Sequence, residues 1–145
     1  MKKIVIIIIT IVIIAVVIFL SKYYNYKAEK SEIDTFNSQY EKYLDREIYG
    51  SELASVINKA VDDNEKAGIK KDENGKYIQN DENSVNIEVK IIDLEEDTIF
   101  TMETLYGGGM EQFVQYYGMI KFKCTDVKYN SLGYISYMLF EQITQ

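Results

Sequence analysis

The side chains of this chain that are able to do chemistry are almost all carboxylates. There is no histidine, which removes Ser-His-Asp and Cys-His catalysis and the commonest zinc and copper ligand. The one cysteine, Cys124, falls at an inward position of the strand-like run Lys121–Cys124. It reads as a small buried hydrophobe rather than a nucleophile. An acid–base or hydrolytic pair would come from Glu88, Glu95, Glu96, Asp97, Glu103 and Glu111. A glycosidase needs two carboxyls facing each other across a cleft. All six instead fall where a strand surface or a turn leaves a charge in water. A domain this small without Trp is also a poor saccharide cleft. No catalytic residue is assigned, and the chain reads as a non-enzyme.

Metal and anion sites fare no better. Asp72, Asn74 and Gly75 have the look of a calcium loop, but the EF-hand order requires Asp at the position that Lys70 occupies. Irregular clusters remain at Asp62, Asp63 and Asn64, and at Asp72, Glu73, Asp81 and Glu82. They read first as solvated acidic loops. Gly107-Gly108-Gly109 opens a short helical pattern and would offer free backbone N–H groups to an anion. Met110 and Glu111 stand where a phosphate loop places Lys and Ser/Thr, so a flexible connection is the simpler reading. No metal or cofactor is expected.

The strongest signal lies elsewhere. Ile4 to Leu20 reads IVIIIITIVIIAVVIFL, 17 residues without a charge. A helix of that length reaches about 26 Å, against a hydrocarbon core of about 30 Å. Lys2, Lys3 and Lys22 lie at its ends and can snorkel. Ile4, Ile9, Ile14 and Leu20 mark its length. Tyr23 and Tyr24 follow where an aromatic belt meets the headgroups; the alternative packs them in the domain. The apolar run exceeds the h-region of a cleaved signal peptide, Phe19-Leu20-Ser21 is no A-x-A site, and no Cys follows for a lipid anchor. It reads as an uncleaved signal anchor, residues 1–21, in contact with the lipid bilayer. The Lys count on the two sides does not decide orientation. A basic start followed directly by an apolar run is what export machinery reads, so the C-terminal domain is expected outside the cytoplasm, at the cell membrane.

Removing Lys2 and Lys3 from 16 basic residues leaves 14 against 23 acidic, a net charge of −9 for the remainder. Such a surface repels nucleic acid and anionic headgroups. A single Cys excludes an internal disulfide. The 13 Tyr, crowded toward the C-terminal third, suit either a protein interface or a small core.

The rest of the chain predicts an α+β domain: two helices after the anchor, then an antiparallel β-meander interrupted by a short helix. Ile33, Phe36, Tyr40 and Tyr43 share one helix face, started at a Ser31–Asp34 capping box or continuous with the anchor. Residues 22–50 form this membrane-proximal helix and a connection at Arg46–Gly50. The domain proper is 51–145, joined by 31–50. Ser51 reads as the N-cap of a helix carrying Leu53, Val56, Ile57, Ala60 and Val61, with Gly68 at its C′ position. Asn74-Gly75 marks a short hairpin or a loop. Val85, Ile87, Val89 and Ile91 alternate as a half-buried strand. An acidic turn at Leu94–Asp97, a strand Thr98–Met102, a helix Met110–Tyr117, a strand Met119–Tyr129 with a bulge near Thr125-Asp126, and a strand Tyr134–Glu141 complete the pattern.

A basic start, an Ile/Val-rich first helix, an amphipathic helix and a β-meander together resemble the layout of type IV pilins and pseudopilins. In those families a Gly or Ala precedes the cleavage point, followed by Phe and by Glu at the fifth mature position. Here Lys3 precedes the apolar run and no acid occurs before Glu29. FNSQYEKYLDREIYGSELASVINKAVDDNEK and FKCTDVKYNSLGYISYMLFEQ are also similar to uncharacterised small membrane-anchored proteins of Gram-positive bacteria. The resemblance implies an anchored protein that acts by contact with a protein partner or by self-association, with a pilin-like assembly subunit as one form. The alternative is a tethered domain that senses a ligand or calcium.

Overall fold

The computed structural model describes residues 2–80, 82–92 and 97–144. They form two compact units, 1–36 and 37–145. A single helix, α1, runs Lys2–Glu41. It passes through Ser31, whose carbonyl accepts from Thr35 Oγ1 at 2.7 Å as a mid-helix residue does, so of the two readings the continuous helix forms and the Ser31–Asp34 capping box does not. With no Pro or Gly between Leu20 and Glu41, nothing in the chain interrupts the backbone ladder. The apolar stretch and the first of the expected following helices are one element.

In the second unit, Tyr40 and Tyr43 are buried. A short strand β1 (Glu47–Tyr49) follows, where the sequence predicts only a connection. It pairs with residues 121–123, too short and too non-local to show as a pattern. Helix α2 (Gly50–Lys66) buries Leu53, Val56, Ile57, Ala60 and Val61, the predicted stripe. Its start differs from expectation. Tyr49 is the cap residue and Ser51 makes no capping bond; carbonyls from another segment satisfy the first amides instead, Gly50 N donating to Ile120 O at 2.8 Å and Ser51 N to Gly118 O at 3.1 Å. A Cβ on Gly50 would lie 2.0 Å from Tyr117 O, so this approach requires glycine. The other end of α2 is a Schellman motif. Ile69 N bonds Asn64 O and Gly68 N bonds Glu65 O, with Gly68 at φ +69°.

Four more strands complete the sheet: β2 (Asn86–Ile91), β3 (Thr98–Thr101), β4 (Lys121–Tyr129) and β5 (Ile135–Gln142). Their order is β1-β4-β5-β2-β3. The α+β class is as predicted. The sheet is mixed: β1–β4, β4–β5 and β2–β3 are antiparallel, while β2 and β5 run parallel. Period-2 alternation tells which face a residue takes, not which strand lies beside it, so the meander reading missed that ladder. The expected bulge is present, with a register shift between Cys124 and Asp126. Between β3 and β4 lie two short helices, α3 (Met102–Gly107) and α4 (Met110–Tyr117). Helix α4 matches expectation; α3 begins where the predicted strand was to end, with Thr101 Oγ1 accepting from Thr104 N. Of the predicted acidic turn at 94–97, only Asp97 lies within the described residues. The Asn74-Gly75 turn closes through a Lys71–Tyr77 bridge, with Gly75 at φ +78°.

One sheet face carries Ile48, Phe122, Cys124, Met138, Phe140, Ile87 and Val89, all buried. Helices α2, α3 and α4 belong to this side; the Phe113 ring of α4 lies 6.2 Å from that of Phe122. The opposite face bears a row of alternating charge, Glu47–Lys123–Glu141–Lys90, read across four strands from the register.

Two buried asparagines fix the helices to the sheet. Asn64 donates Nδ2 to Val85 O at 2.8 Å and accepts from Val85 N at 2.9 Å, just before β2. Asn37 donates to Gly133 O and accepts from Ile135 N, both at 2.8 Å, at the entry to β5. Replacing either by an apolar isostere strands a buried carbonyl and a buried N–H, each costing about 1–3 kcal/mol. Asn64→Leu should therefore lower the unfolding free energy by about 3 kcal/mol in urea titrations, and Asn37→Leu by a similar amount. The exposed Asn58→Leu should stay within about 0.5 kcal/mol of the parent.

Candidate functional site

Two features are candidates: the apolar length of α1 and a cleft in the second unit. In α1 an 18-residue window has a mean hydropathy of 3.6 and none of it is buried in the protein. Ile4, Ile9, Ile14 and Leu20 are 63%, 52%, 53% and 45% exposed. A soluble core helix of this composition would be buried, so this helix is a candidate membrane anchor or signal sequence. The one hydroxyl within residues 4–20 is internally satisfied, Thr10 Oγ1 donating to Ile6 O at 2.9 Å, as an apolar medium requires. Lys2, Lys3 and Lys22 are exposed at its ends. Tyr23 and Tyr24 are also exposed, their rings 6.0 Å apart edge to face.

The acidic clusters singled out in the sequence are dispersed among structural partners. Asp62 pairs with Lys66 at 2.5 Å. Asp63 takes Lys59 at 3.1 Å and the Tyr40 hydroxyl at 2.6 Å, and Asn64 is spent on Val85. Asp72 Oδ1 accepts from Asn74 N and Lys76 N, which makes it a turn former. Asp81 lies outside the described residues, as do Glu95 and Glu96. Among the described residues, no three His, Cys, Asp or Glu gather to hold a metal. The carboxylates of the hydrolytic reading separate in the same way. Glu88 accepts from Tyr137 Oη at 2.7 Å, Asp97 pairs with Lys90 at 3.0 Å, and Glu103 accepts from Tyr77 N at 2.9 Å. Glu111 lies in the first turn of α4.

The glycine run forms a joint. Gly107 ends α3, Gly108 caps it, and Gly109, at φ +96°, starts α4. The sharp turn between α3 and α4 leaves an apolar cleft of about 200 Å³ against β2 and β3. Ile91, Phe100, Leu105, Tyr116 and Tyr117 line it, and no lining residue is charged. Ligand sites usually enclose about 300–1,000 Å³, so this cleft has room for a side chain or two rather than a cofactor. The sequence signal was three glycines before one aromatic-bearing helix, Met110–Tyr117; helix α3 and what the joint faces depended on where β2 and β3 lay. The tyrosines divide between the two readings: Tyr40 and Tyr134 are core, whereas Tyr106, Tyr116 and Tyr129 are exposed.

No family model matches the chain, and no curated protein or solved structure matches it either.

Two titrations follow from this packing. Cys124 is 8% exposed, and burial is the main cause that pushes its thiol up to about 11. The native protein at pH 8 should resist iodoacetamide, with mass spectrometry finding one alkylated Cys only after denaturant is added. Burial first, and then the hydrogen bond to Asp63, raise the Tyr40 hydroxyl well above its usual range. A raised pKa stabilises the fold below the unfolded Tyr value of about 10, and that gain is lost as pH climbs toward the folded value. Melting temperature should therefore fall from about pH 10 upward, and Tyr40→Phe should lower it at neutral pH while flattening the alkaline fall.

Proposed function

We propose that this chain is a non-enzymatic, single-pass protein of a bacterial cell membrane. Residues 4–20 act as an uncleaved signal anchor, and the α+β unit lies outside the cytoplasm, where it acts by protein–protein contact. The observation that carries this reading is the wholly unburied apolar stretch of α1. Exposing that much Ile and Val to water costs roughly 1.5–3 kcal/mol per side chain relative to an apolar medium, a cost that lipid removes. Lys2 and Lys3 before the run, and Lys22, Tyr23 and Tyr24 after it, are the interface residues such a span uses. The contact function is supported by the small uncharged cleft and the exposed tyrosines. A pilin-like assembly subunit is one concrete form of this function.

Fractionation tests it. The protein should stay with the membrane pellet through alkaline carbonate extraction, and its mass should equal that of the full chain. Release into the soluble fraction, or a product shorter by about 20 residues, the length of a span, would make α1 a removable signal sequence and end the anchor reading.

A further inference from the structure

Charge is sorted along this chain. Residues 2–30 carry five Lys and one acid, Glu29, a side-chain charge of +4; residues 31–145 carry 11 basic against 22 acidic residues, a charge of −11. The two sets of cations also differ in their partners. Arg46, Lys59, Lys66, Lys90, Lys121 and Lys128 pair with carboxylates. Lys22, Lys27 and Lys30 are exposed and make no ion pair among the described residues. Helix α1 runs unbroken through them, and at about 100° per residue Lys22, Tyr26, Lys30, Tyr23 and Lys27 share one face about 140° wide. Lys27 and Lys30 are neighbours at i, i+3, and Tyr23 and Tyr26 stand one turn below them at i−4. Both tyrosines are exposed. Glu29 falls outside this face, and Asp34, the first acid on it, lies a turn further from the apolar run.

We propose that this face of α1 binds the headgroup phosphate of an anionic phospholipid in preference to a zwitterionic one, with Lys22, Lys27 and Lys30 meeting the charge and the Tyr23 and Tyr26 hydroxyls donating to phosphodiester oxygens. This rests on the anchor reading above and names the lipid class at its C-terminal flank. Lys22, Lys27 and Lys30 stand about 3, 10 and 15 Å along the helix axis beyond Leu20. The headgroup layer is roughly 5–8 Å deep on each side, and its charge is felt for a further Debye length of about 8 Å. Helix side chains lean toward the N-terminus, which at this flank is toward the bilayer, so all three ammonium groups come within reach. A zwitterionic headgroup brings its own ammonium and neutralises its phosphate. An anionic one leaves a net charge, and these lysines have no carboxylate of their own to compete for it. The same headgroups repel residues 31–145, at −11, so a preference for anionic lipid has to come from the basic part of α1.

The test reconstitutes the full chain in vesicles of phosphatidylcholine carrying a trace of spin-labelled phosphatidylglycerol or spin-labelled phosphatidylcholine. Electron spin resonance reads the fraction of each lipid held at the protein. Phosphatidylglycerol should be preferred by at least about fivefold, the worth of one lysine at an anionic surface, and the preference should shrink as salt is raised. The triple variant Lys22→Gln, Lys27→Gln, Lys30→Gln should float with the vesicles as the parent does and lose the preference. The matching triple change to Arg, which keeps the charge, should retain it. Equal retention of the two lipids by the parent, or an undiminished preference in the Gln variant, overturns the proposal and spares the anchor. Failure of the parent to float with vesicles refutes the anchor, and the lipid site with it.

Discussion

Two asparagine side chains hold the second unit in register. The apolar contact between helices and sheet is strong but non-directional, and by itself it lets one layer slide over the other. Asn37 and Asn64 remove that freedom. Each presents one carboxamide to a backbone carbonyl and a backbone N–H at the mouth of a strand, Asn37 at β5 and Asn64 at β2. Those are the two parallel strands at the centre of the sheet. Parallel neighbours cannot be set by a hairpin, so their start points must be fixed by something else, and here buried side chains do it. Asn37 reaches across 96 and 98 residues of chain. The partly buried Tyr40–Asp63 bond links the same helix end to α2. Satisfied polar groups in a dry interior tolerate no half-measures, which makes this a cooperative lock.

What could be read in the sequence divides along the same line. Local periodicity was sufficient for the apolar span, the α2 stripe, the alternating β2 strand and the phase change that marks the Thr125–Asp126 bulge. Gly68 at a helix end and Asn74-Gly75 at a turn were legible because each has a backbone reason independent of the fold. The parallel β2–β5 ladder, the three-residue β1 and the helix α3 were not, since each depends on partners far along the chain. Ser51 shows how a sound local rule fails: a good capping residue precedes the stripe, yet Gly50 lets the backbone of 117–120 come close enough to take over the capping. Asn37 gave no signal, and Asn64 stood out only beside Asp62 and Asp63, for a role it does not have. An Asn within a helical stripe reads as a surface residue until its strand partner is known.

The candidate chemistry dissolved for a related reason. Polar residues close in sequence, such as Asp62, Asp63 and Asn64, point around a helix and reach different partners. Two further carboxylates, Glu47 and Glu141, alternate with Lys123 and Lys90 across the open face of the sheet, a self-neutralising row. Among the described residues, the small cleft between α3 and α4 is uncharged and lined by apolar and aromatic groups, and the β3 edge carries Ile99 and Phe100 without a charge. Surfaces of that kind bind other proteins, in keeping with an account in which the chain is held at a membrane and works by contact.

The central claim is that residues 4–20 lie in a bilayer with the second unit outside. Single cysteines placed at Lys3, Ile14 and Lys30, probed with a membrane-impermeant maleimide, test it most directly. The account predicts labelling of Lys30→Cys in intact cells, of Lys3→Cys only after permeabilisation, and of Ile14→Cys in neither. Labelling of Ile14→Cys in intact cells would contradict the span, and labelling of Lys3→Cys without Lys30→Cys would reverse the orientation.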